Sequence, residues 1–344
     1  MRSLRQGGFK QPAEWSAQRA CWTAWPYIDY WDVHLEPARA EVDALIRLIA
    51  SHQAVELVAN SPEDAAATRA RYRDLDVRVH TIPFGDIWMR DIGPIFLLGR
   101  HGLLGATRFK FNGWGEKYIL DGDADVGRAV CEARGVDAFE SGIVLEGGAL
   151  DVDGEGTCLT TRQCALNPNR NPGATQESMD AAIGEALGVE RVLWLDDGLL
   201  NDHTDGHVDT LARFVAPGVV VCMEPAKDDP NREVLETIRT TLGRFRDAAG
   251  RRLEVMTIPS PGTVLDDEGE PMPASYANFL IGNGFVAVPT YGVPNDDLAV
   301  KRLENVFAGR RVVGLSARAI LEGGGAFHCI TQQEPLSSHP ENAP

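Results

Sequence analysis

The segment LEGGALDVDGEGTCLTT, residues 145–161, places a polar, glycine-bearing motif directly before a turn and a β-rich run. This order recurs at intervals of roughly 50 to 70 residues, and helical sequence follows each segment except the last. The other four segments are DIWMRDIGPIFLL (86–98), TDGHVDTLARFVAPGVVVCM (204–223), SYANFLIGNGFVAVPTY (275–291) and LEGGGAFHCITQQEP (321–335). Five strand–turn–strand–helix units predict radial repetition around a centre, where residues distant in sequence share one site. A doubly wound sheet has the same alternation and remains an alternative at this point.

Helical and β-rich stretches alternate through the whole chain, which is typical of the α/β class. Pro62, Thr175 and Asp296 occupy cap or first-turn positions of three of the predicted helices. The predicted helices cover residues 36–51, 62–73, 124–134, 174–187, 231–246 and 296–308. Because no linker or low-complexity stretch divides the chain, we expect a single domain over residues 1–344. Residues from about 334 to 344 are expected to form a flexible tail.

The composition argues against several classes of protein. With 44% hydrophobic and 24% charged residues, the 344-residue chain has the make-up of a soluble globular protein. Its net charge of −17 argues against a nucleic acid or an anionic membrane as partner. The N-terminal residues lack the apolar run of a secretory signal, and no apolar stretch approaches the length of a membrane span. The six cysteines form no CxxC pair, which favours reduced thiols and a cytoplasmic location.

The segment NDHTDGHVDTLARFV, residues 201–215, carries two histidines four positions apart. On a helix, His203 and His207 would face the same way, as the ligands of a zinc hydrolase do. However, no glutamate follows His203, and Gly206 precedes His207, which makes this a poor helical sequence. The run after His207 alternates like a strand, and there His207 and Asp209 would project side by side from one face. We therefore predict that His207 is a general acid/base beside a cation-binding carboxylate, Asp209, with a zinc site on the two histidines as the remote alternative.

Two further segments carry reactive or cation-binding groups. Cys329 follows three consecutive glycines, which allow a backbone or a substrate to approach the thiol closely. A cysteine is catalytic only as a thiolate, which a nearby imidazolium or cationic substrate can stabilise. In DIWMRDIGP, Asp86 and Asp91 flank Trp88, and carboxylates beside an aromatic ring suit a planar cation. Buried structural roles would account for each of these residues taken alone.

Taken together, the motifs resemble the agmatine deiminase and bacterial (Porphyromonas-type) peptidylarginine deiminase family of the guanidino-group-modifying (pentein) superfamily. The matching stretches occur in the family's order and cover the chain from Trp22 to Pro335. They are WMRDIGP, FNGWG, LEGGALDVDGEGTCLTT, NPNRNP, TDGHVD, PASYANF and GGGAFHCITQQEP. The resemblance implies a five-bladed, pseudo-symmetric α/β propeller of ββαβ units forming a single catalytic domain. It also implies a thiol mechanism that uses no metal and no cofactor.

The resemblance also implies a role for each matching residue. Cys329 corresponds to the nucleophile, His207 to the general acid/base, and Glu146 to the glutamate that orients the histidine. Asp91 and Asp209 correspond to the two carboxylates that hold the guanidinium group. Such a group must be held planar before attack, because its delocalised charge makes it a poor electrophile.

Trp88 corresponds to an aromatic side chain that lines the pocket. At two other positions the chain departs from the family pattern: Gly85 precedes Asp86 where an acidic pair is common, and His203 replaces an acidic residue. The acidic residue at the latter position can hold the free ammonium of agmatine, so His203 is a candidate for contact with the substrate's tail. Asp202 or Asp205 could take over the task of holding that ammonium.

The expected activity is hydrolytic deimination of a small cationic guanidine, with agmatine and water giving N-carbamoylputrescine and ammonia in putrescine biosynthesis. Deimination of peptidylarginine or free arginine to citrulline is the near alternative, and amidino transfer is a more distant one. A zinc hydrolase and a catalytically silent binding propeller are the alternatives from other classes. The resemblance also suggests a homodimer.

Overall fold

The computed structural model describes residues 4–27 and 29–338 of the chain. Within these two ranges, sixteen strands form five separate small sheets. The strands are β1 (Gln18–Ala24), β2 (Ala54–Ala59), β3 (Val77–Thr81), β4 (Ile95–Leu98), β5 (Leu104–Lys110), β6 (Asp137–Val144), β7 (Asp151–Val152), β8 (Thr157–Thr161), β9 (Arg191–Leu195), β10 (Ala212–Ala216), β11 (Val219–Glu224), β12 (Glu254–Pro259), β13 (Leu280–Gly282), β14 (Phe285–Thr290), β15 (Arg311–Ser316) and β16 (Thr331–Pro335).

The α-helices lie mainly between the strands that pair in parallel. They are α1 (Leu4–Gly7), α2 (Leu35–Ala50), α3 (Pro62–Arg71), α4 (Met89–Ile92), α5 (Gly113–Glu116), α6 (Asp123–Arg134), α7 (Arg162–Ala165), α8 (Gln176–Leu187), α9 (Arg232–Leu242), α10 (Asp296–Val306) and α11 (Arg318–Glu322). The predicted helix starts are confirmed: Pro62 opens α3, Thr175 caps α8 in a capping box with Ser178, and Asp296 opens α10. The fifth predicted helix is shorter than expected and ends at Leu242, directly before Gly243. Among the described residues, no helix is both long and apolar enough to span a bilayer.

One topological unit repeats five times, which confirms the predicted radial repetition rather than a doubly wound sheet. In the sheet β4–β5–β6, the first two strands are antiparallel and the last two are parallel, with α6 crossing between them. The same pattern holds for β7–β8–β9 with α8, β10–β11–β12 with α9, and β13–β14–β15 with α10. A crossover helix is the usual connection between parallel strands, so each unit is a ββαβ motif.

The fifth unit joins the two ends of the chain. Strand β16 pairs antiparallel with β1, which pairs in parallel with β2, and β3 extends this sheet. The predicted flexible tail from residue 334 is therefore wrong at its start, because Glu334 and Pro335 are buried within β16. The carboxylate of Glu334 accepts hydrogen bonds from Arg19, Trp22 and Arg134, which offsets the cost of burying its charge. Residues 339–344 of the predicted tail lie outside the described residues.

Arg213 links several units at the centre of the fold. Its side chain is fully buried and forms ion pairs with Asp151 and Glu14. The same guanidinium donates to the carbonyl oxygens of Ala277 and Phe279, which lie next to β13. A buried arginine that bridges this many partners fixes the relative positions of β7, β10 and the segment that precedes β13.

Candidate active site

Each unit presents functional side chains from the segment directly before its first strand. Asp91 lies on α4 before β4, Glu146 precedes β7, His207 precedes β10, Asn278 precedes β13 and Cys329 precedes β16. Because these segments all lead towards the centre, residues more than 200 positions apart in sequence come together. This confirms the expectation that the inner ends of the units share one site.

Cys329 lies in a turn against two polar side chains. Nδ2 of Asn278 donates to its Sγ atom at 3.1 Å, and Sγ lies 3.6 Å from Oδ2 of Asp209. Burial, together with the negative charges of Asp209 and Asp91, raises the pKa of the Cys329 thiol well above its ordinary value. Without a nearby cation, burial and these carboxylates therefore favour the neutral thiol, whereas a bound cation would favour the thiolate.

The local structure around His207 differs from the strand that alternation predicted. Residues Val208–Thr210 form a 3₁₀-helix with His207 at its N-cap, and β10 begins only at Ala212. The hydroxyl group of Thr210 donates to the backbone oxygen of His207, and the backbone N–H of His207 donates to Thr204. His207 and Asp209 therefore do not project from one strand face, although both are buried and both reach the same site.

Electrostatic contacts keep His207 protonated. Its Nε2 atom lies 3.4 Å from Oε2 of Glu146, and its Nδ1 atom lies 3.8 Å from Oδ1 of Asp91. Burial alone would lower the pKa of His207, but the charge of Asp91 and the contact with Glu146 raise it well above its ordinary value. The buried Nδ1 atom has no hydrogen-bond partner among the described residues. An imidazolium with one unused donor is suited to protonating a leaving group.

Glu146 is held by Arg170 as well as by His207. Nε of Arg170 donates to both carboxylate oxygens of Glu146, at 2.9 and 2.8 Å, and both side chains are fully buried. Burial favours the neutral acid, but His207 and Arg170 lower the pKa of Glu146. Arg170 also contacts Asp205 and the backbone oxygen of Thr204, so it ties Glu146 to the loop that carries His207. The thiol of Cys164 lies on this side of the histidine, 3.8 Å from Oε2 of Glu146.

The two candidate guanidinium-binding carboxylates are in different states of hydrogen bonding. Asp91 accepts from the backbone N–H of Gly148 and from the indole of Trp114, each at 2.9 Å. Burial and neighbouring carboxylates raise the pKa of Asp91. Oδ2 of Asp209 lies 2.7 Å from Nδ1 of His328, whereas Oδ1 is buried without a hydrogen-bond partner among the described residues. A buried carboxylate oxygen without a partner is costly, so this atom points to a ligand that donates hydrogen bonds.

Gly148 is the position at which three of these side chains converge. A Cβ atom at residue 148 would lie 2.5 Å from Nδ1 of His207, 3.0 Å from Oδ1 of Asp91 and 3.1 Å from Oδ2 of Asp209. All three distances are shorter than ordinary van der Waals contacts. Only glycine lets the imidazole and the two carboxylates come this close together.

Replacing Gly148 by alanine should displace the His207 ring, and we expect kcat/KM to fall about 100-fold, since misplacement by about 1 Å can cost that much. Gly142→Ala is the matched control, because a Cβ atom at residue 142 meets nothing within 4 Å. Steady-state ammonia release by the two variants checks the prediction. Equal activities of the Gly148 and Gly142 variants would contradict this geometry.

A cavity leads to this cluster. Its volume of about 350 Å³ is within the usual range for small-molecule sites. Its walls are mainly aromatic near Cys329, with Trp88 and Trp114 both buried. The indole groups of Trp88 and Trp31 donate to Asp86 and stack with centroids 6.1 Å apart. The complete lining is Asp86, Trp88, Asp91, Trp114, Tyr118, Leu120, His203, Thr204, Glu322, Gly323, Gly324 and Cys329. The prediction that Trp88 contributes to a pocket is therefore in accord with its position.

His203 lies apart from His207, on the outer wall of the same cavity. Its ring faces Tyr118 with centroids 5.7 Å apart, and the residue is exposed. Two groups of side chains in the described ranges 4–27 and 29–338 could together hold a metal ion, and neither contains His203. These ranges therefore contain no such group that joins His203 to His207, and the structure does not support the predicted alternative of a zinc site on the two histidines.

Unlike His203, the two carboxylates suggested as substitutes for the family's acidic residue do not line the cavity. Asp205 forms ion pairs with Lys117 at 2.7 Å and with Arg170 at 2.6 Å. Asp202 accepts hydrogen bonds from the backbone and hydroxyl groups of Thr204. Neither aspartate lines the cavity.

Several residues of the site were not singled out from the sequence. Trp114, Arg170 and Asn278 each lie inside a quoted motif, namely FNGWG, NPNRNP and PASYANF, so membership of a motif was the available signal. Glu322 lies in the quoted repeat segment LEGGGAFHCITQQEP, at the position that Glu146 holds in LEGGALDVDGEGTCLTT, so the repeat was the available signal. Tyr118 lines the cavity without a comparable signal, because its position depends on the packing of loops from different units.

Known proteins resemble this chain over nearly its whole length. The model of the Porphyromonas-type peptidyl-arginine deiminase family matches residues 10–335. An agmatine deiminase from Stutzerimonas stutzeri is 39% identical over 359 residues, which cover 96% of each protein.

Solved structures of similar proteins have the same architecture. Agmatine deiminase of Enterococcus faecalis shares 34% identity and a TM-score of 0.91, over 97% of this chain and 98% of that one. A substrate-bound serine variant of the C. jejuni agmatine deiminase shares 28% identity and a TM-score of 0.87, over 96% and 97% of the two chains. With its five ββαβ units, this chain therefore has the pentein fold, and it belongs to the Porphyromonas-type peptidyl-arginine deiminase family.

Proposed function

We propose that this protein deiminates agmatine hydrolytically, with Cys329 as the nucleophile. The observation that carries the proposal is the buried cluster at the end of the cavity. There the Cys329 thiol and the Asp91 carboxylate line the cavity. Next to them lie an imidazole nitrogen of His207 and a carboxylate oxygen of Asp209, both buried and without a hydrogen-bond partner among the described residues. Agmatine carries a guanidinium group, which supplies both the positive charge and the planar set of donors that this cluster lacks.

Binding of the substrate prepares the thiol for attack. Asp91 and Asp209 would hold the guanidinium, and its charge would lower the pKa of Cys329, which these same carboxylates raise in the free protein, so that the thiol loses its proton to solvent. The thiolate then attacks the guanidinium carbon and forms a C–S bond. His207 donates its proton to the departing nitrogen, the C–N bond breaks, and ammonia leaves an S-alkylthiouronium bound to Cys329.

Hydrolysis of this intermediate restores the enzyme. His207, now neutral, accepts a proton from water as the oxygen attacks the thiouronium carbon. Collapse of the adduct breaks the C–S bond, passes the hydroxyl proton to the departing Cys329 sulfur and so restores the thiol, and releases N-carbamoylputrescine. Glu146 keeps the imidazole in place during both steps, and Arg170 keeps Glu146 in place in turn.

Agmatine is favoured over arginine by the charge of the cavity wall. No arginine or lysine occurs among the described residues that line the cavity, so a substrate carboxylate would have no cationic partner there. The relatives named agmatine deiminase, at 39% and 34% identity, support the same choice.

The proposal is tested by steady-state kinetics with agmatine, free arginine and a peptidyl arginine. We expect kcat/KM for agmatine to exceed the other two by at least about tenfold, which corresponds to ~1.4 kcal/mol of transition-state stabilisation. If arginine or the peptide is preferred by that factor, the assignment to agmatine is wrong.

The pKa of Cys329 gives a prediction about the free enzyme. Because this pKa is raised, the thiolate fraction grows only at high pH, so alkylation by iodoacetamide should accelerate steadily between about pH 7 and 9. All six cysteines are buried, but Cys329 is the one that lines the cavity within the described residues. Peptide mass spectrometry distinguishes its alkylation from that of the other five. A rate that is already maximal at pH 7 would show a stable thiolate and contradict the role of the substrate's charge.

The cytoplasmic location and the homodimer stay predictions. Light scattering coupled to size-exclusion chromatography would test the homodimer.

A further inference from the structure

We propose that Glu322 binds the ammonium group at the far end of the substrate and so selects guanidines with a cationic tail. This inference rests on the function proposed above and concerns the outer half of the same cavity. Glu322 lines the cavity together with Cys329, and His203 lies on the facing loop. The carboxylate of Glu322 supplies the acidic group that the family pattern would lead one to expect at position 203.

Three glycines bring Glu322 to this wall. A Cβ atom at Gly325 would lie 2.6 Å from the Trp88 ring and 3.1 Å from Sγ of Cys329, and one at Gly323 would lie 2.7 Å from Trp88. The segment therefore runs flat across the indole, starting at the nucleophile and ending at Glu322. At Gly324 the segment passes His203, whose Nδ1 atom would lie 3.5 Å from a Cβ atom there.

The length of extended agmatine is within the distance that the segment from Gly325 to Glu322 can span. Glu322 is three positions before Gly325 in the sequence, and three steps along the chain span at most about 10 Å. The six bonds from the guanidinium carbon to the ammonium nitrogen of agmatine span about 7 to 8 Å when extended. A substrate whose carbon lies beside Cys329 can thus place its ammonium at the Glu322 carboxylate.

The charges around Glu322 leave the region able to accept a cation. Arg318 donates to Oε1 of Glu322 from the preceding turn of α11, and Arg318 is itself one-third exposed. A carboxylate has a second oxygen and further lone pairs, so it can bind an ammonium while keeping the arginine. Asp267 and His34 lie close by, with His34 Nε2 3.3 Å from Oδ2 of Asp267. With Glu322 itself, this region thus comprises two carboxylates, one guanidinium and one imidazole.

The test compares two substrates that differ only in the charge of the tail, agmatine and butylguanidine. For Glu322→Gln we expect KM for agmatine to rise at least about tenfold with kcat nearly unchanged, and KM for butylguanidine to change less than about threefold. Glu322→Asp should recover part of the lost affinity for agmatine. Glu236→Gln is the matched control, because Glu236 also pairs with an arginine four residues away on a helix but lies outside the cavity.

The outcomes separate this inference from the proposed function. Wild-type protein that releases no ammonia from either guanidine would overturn both. Active wild-type protein in which Glu322→Gln changes the two KM values equally, or neither of them, would overturn the role of Glu322 alone. A selective effect on agmatine from His203→Gln and none from Glu322→Gln would place the ammonium on the facing loop and would also overturn it.

Discussion

Cys329→Ala should lose at least about 10⁴-fold in the rate of ammonia release from agmatine, because no other group at the site can form the covalent intermediate. The substitution removes one sulfur atom from a turn whose backbone is held independently. Backbone N–H groups of His328 and Cys329 donate to Oδ1 of Asn278, and the backbone oxygen of Cys329 accepts from Arg90. The fold should therefore persist, and circular dichroism and the Tm check that it does.

Cys164→Ala is the informative comparison for this variant. Cys164 is also buried and lies within 3.8 Å of the glutamate that contacts His207, so it is the other thiol close to the acid/base group. It does not line the cavity, and burial raises the pKa of its thiol. We expect this variant to keep its activity within about tenfold of the wild type. If Cys164→Ala is inactive and Cys329→Ala is active, the nucleophile has been assigned to the wrong cysteine.

His207→Gln should reduce kcat by about 10² to 10⁴-fold, the usual contribution of a positioned general acid/base. The loss should depend on the leaving group, because ammonia needs a proton in order to depart and a thiol does not. With the S-methylisothiourea analogue of agmatine, the variant should release a burst of methanethiol, one per site, and then turn over slowly. The burst would show that attack by Cys329 survives while hydrolysis, which still needs a base, does not.

His80→Gln is the matched control for the histidine substitution. His80 also contacts a buried glutamate, with Nε2 2.6 Å from Oε2 of Glu56, but it lies outside the cavity. We expect its kinetics to resemble those of the wild type with both substrates. An equal loss of activity with agmatine and with the isothiourea, and no burst, would contradict the role of His207 as the acid.

The repeat was readable from the sequence because each unit carries its own local pattern. The polar motif, the turn and the crossover helix all lie within about 60 consecutive residues, so hydrophobic periodicity and caps suffice to find them. The grouping of Cys329, His207, Glu146, Asp91 and Asp209 followed from the family motifs, and the structure brings these five side chains together. Their individual roles in catalysis stay predictions until the variants are measured.

The features missed from the sequence depend on contacts between distant segments. The polar run at the C-terminus reads as a tail, yet Arg19 and Arg134 compensate the charge of Glu334 and allow it to form a buried strand. The alternation after His207 reads as a strand, yet hydrogen bonds of Thr204 and Thr210 fold its first residues into a 3₁₀-helix. Glu322 lies in a quoted repeat segment, but the sequence does not show its place on the cavity wall, because that place is set by the packing of Gly323 on Trp88.

The central claim is that Cys329 becomes covalently attached to the guanidine carbon during turnover. Wild-type enzyme mixed with excess agmatine, quenched in acid during steady state and analysed by mass spectrometry tests this most directly. We predict a protein species heavier by agmatine less one ammonia, and digestion should place the added mass on the peptide that contains Cys329. Steady turnover without such a species, even when the quench is made within the first turnover, would contradict the account, as would an adduct on Cys164.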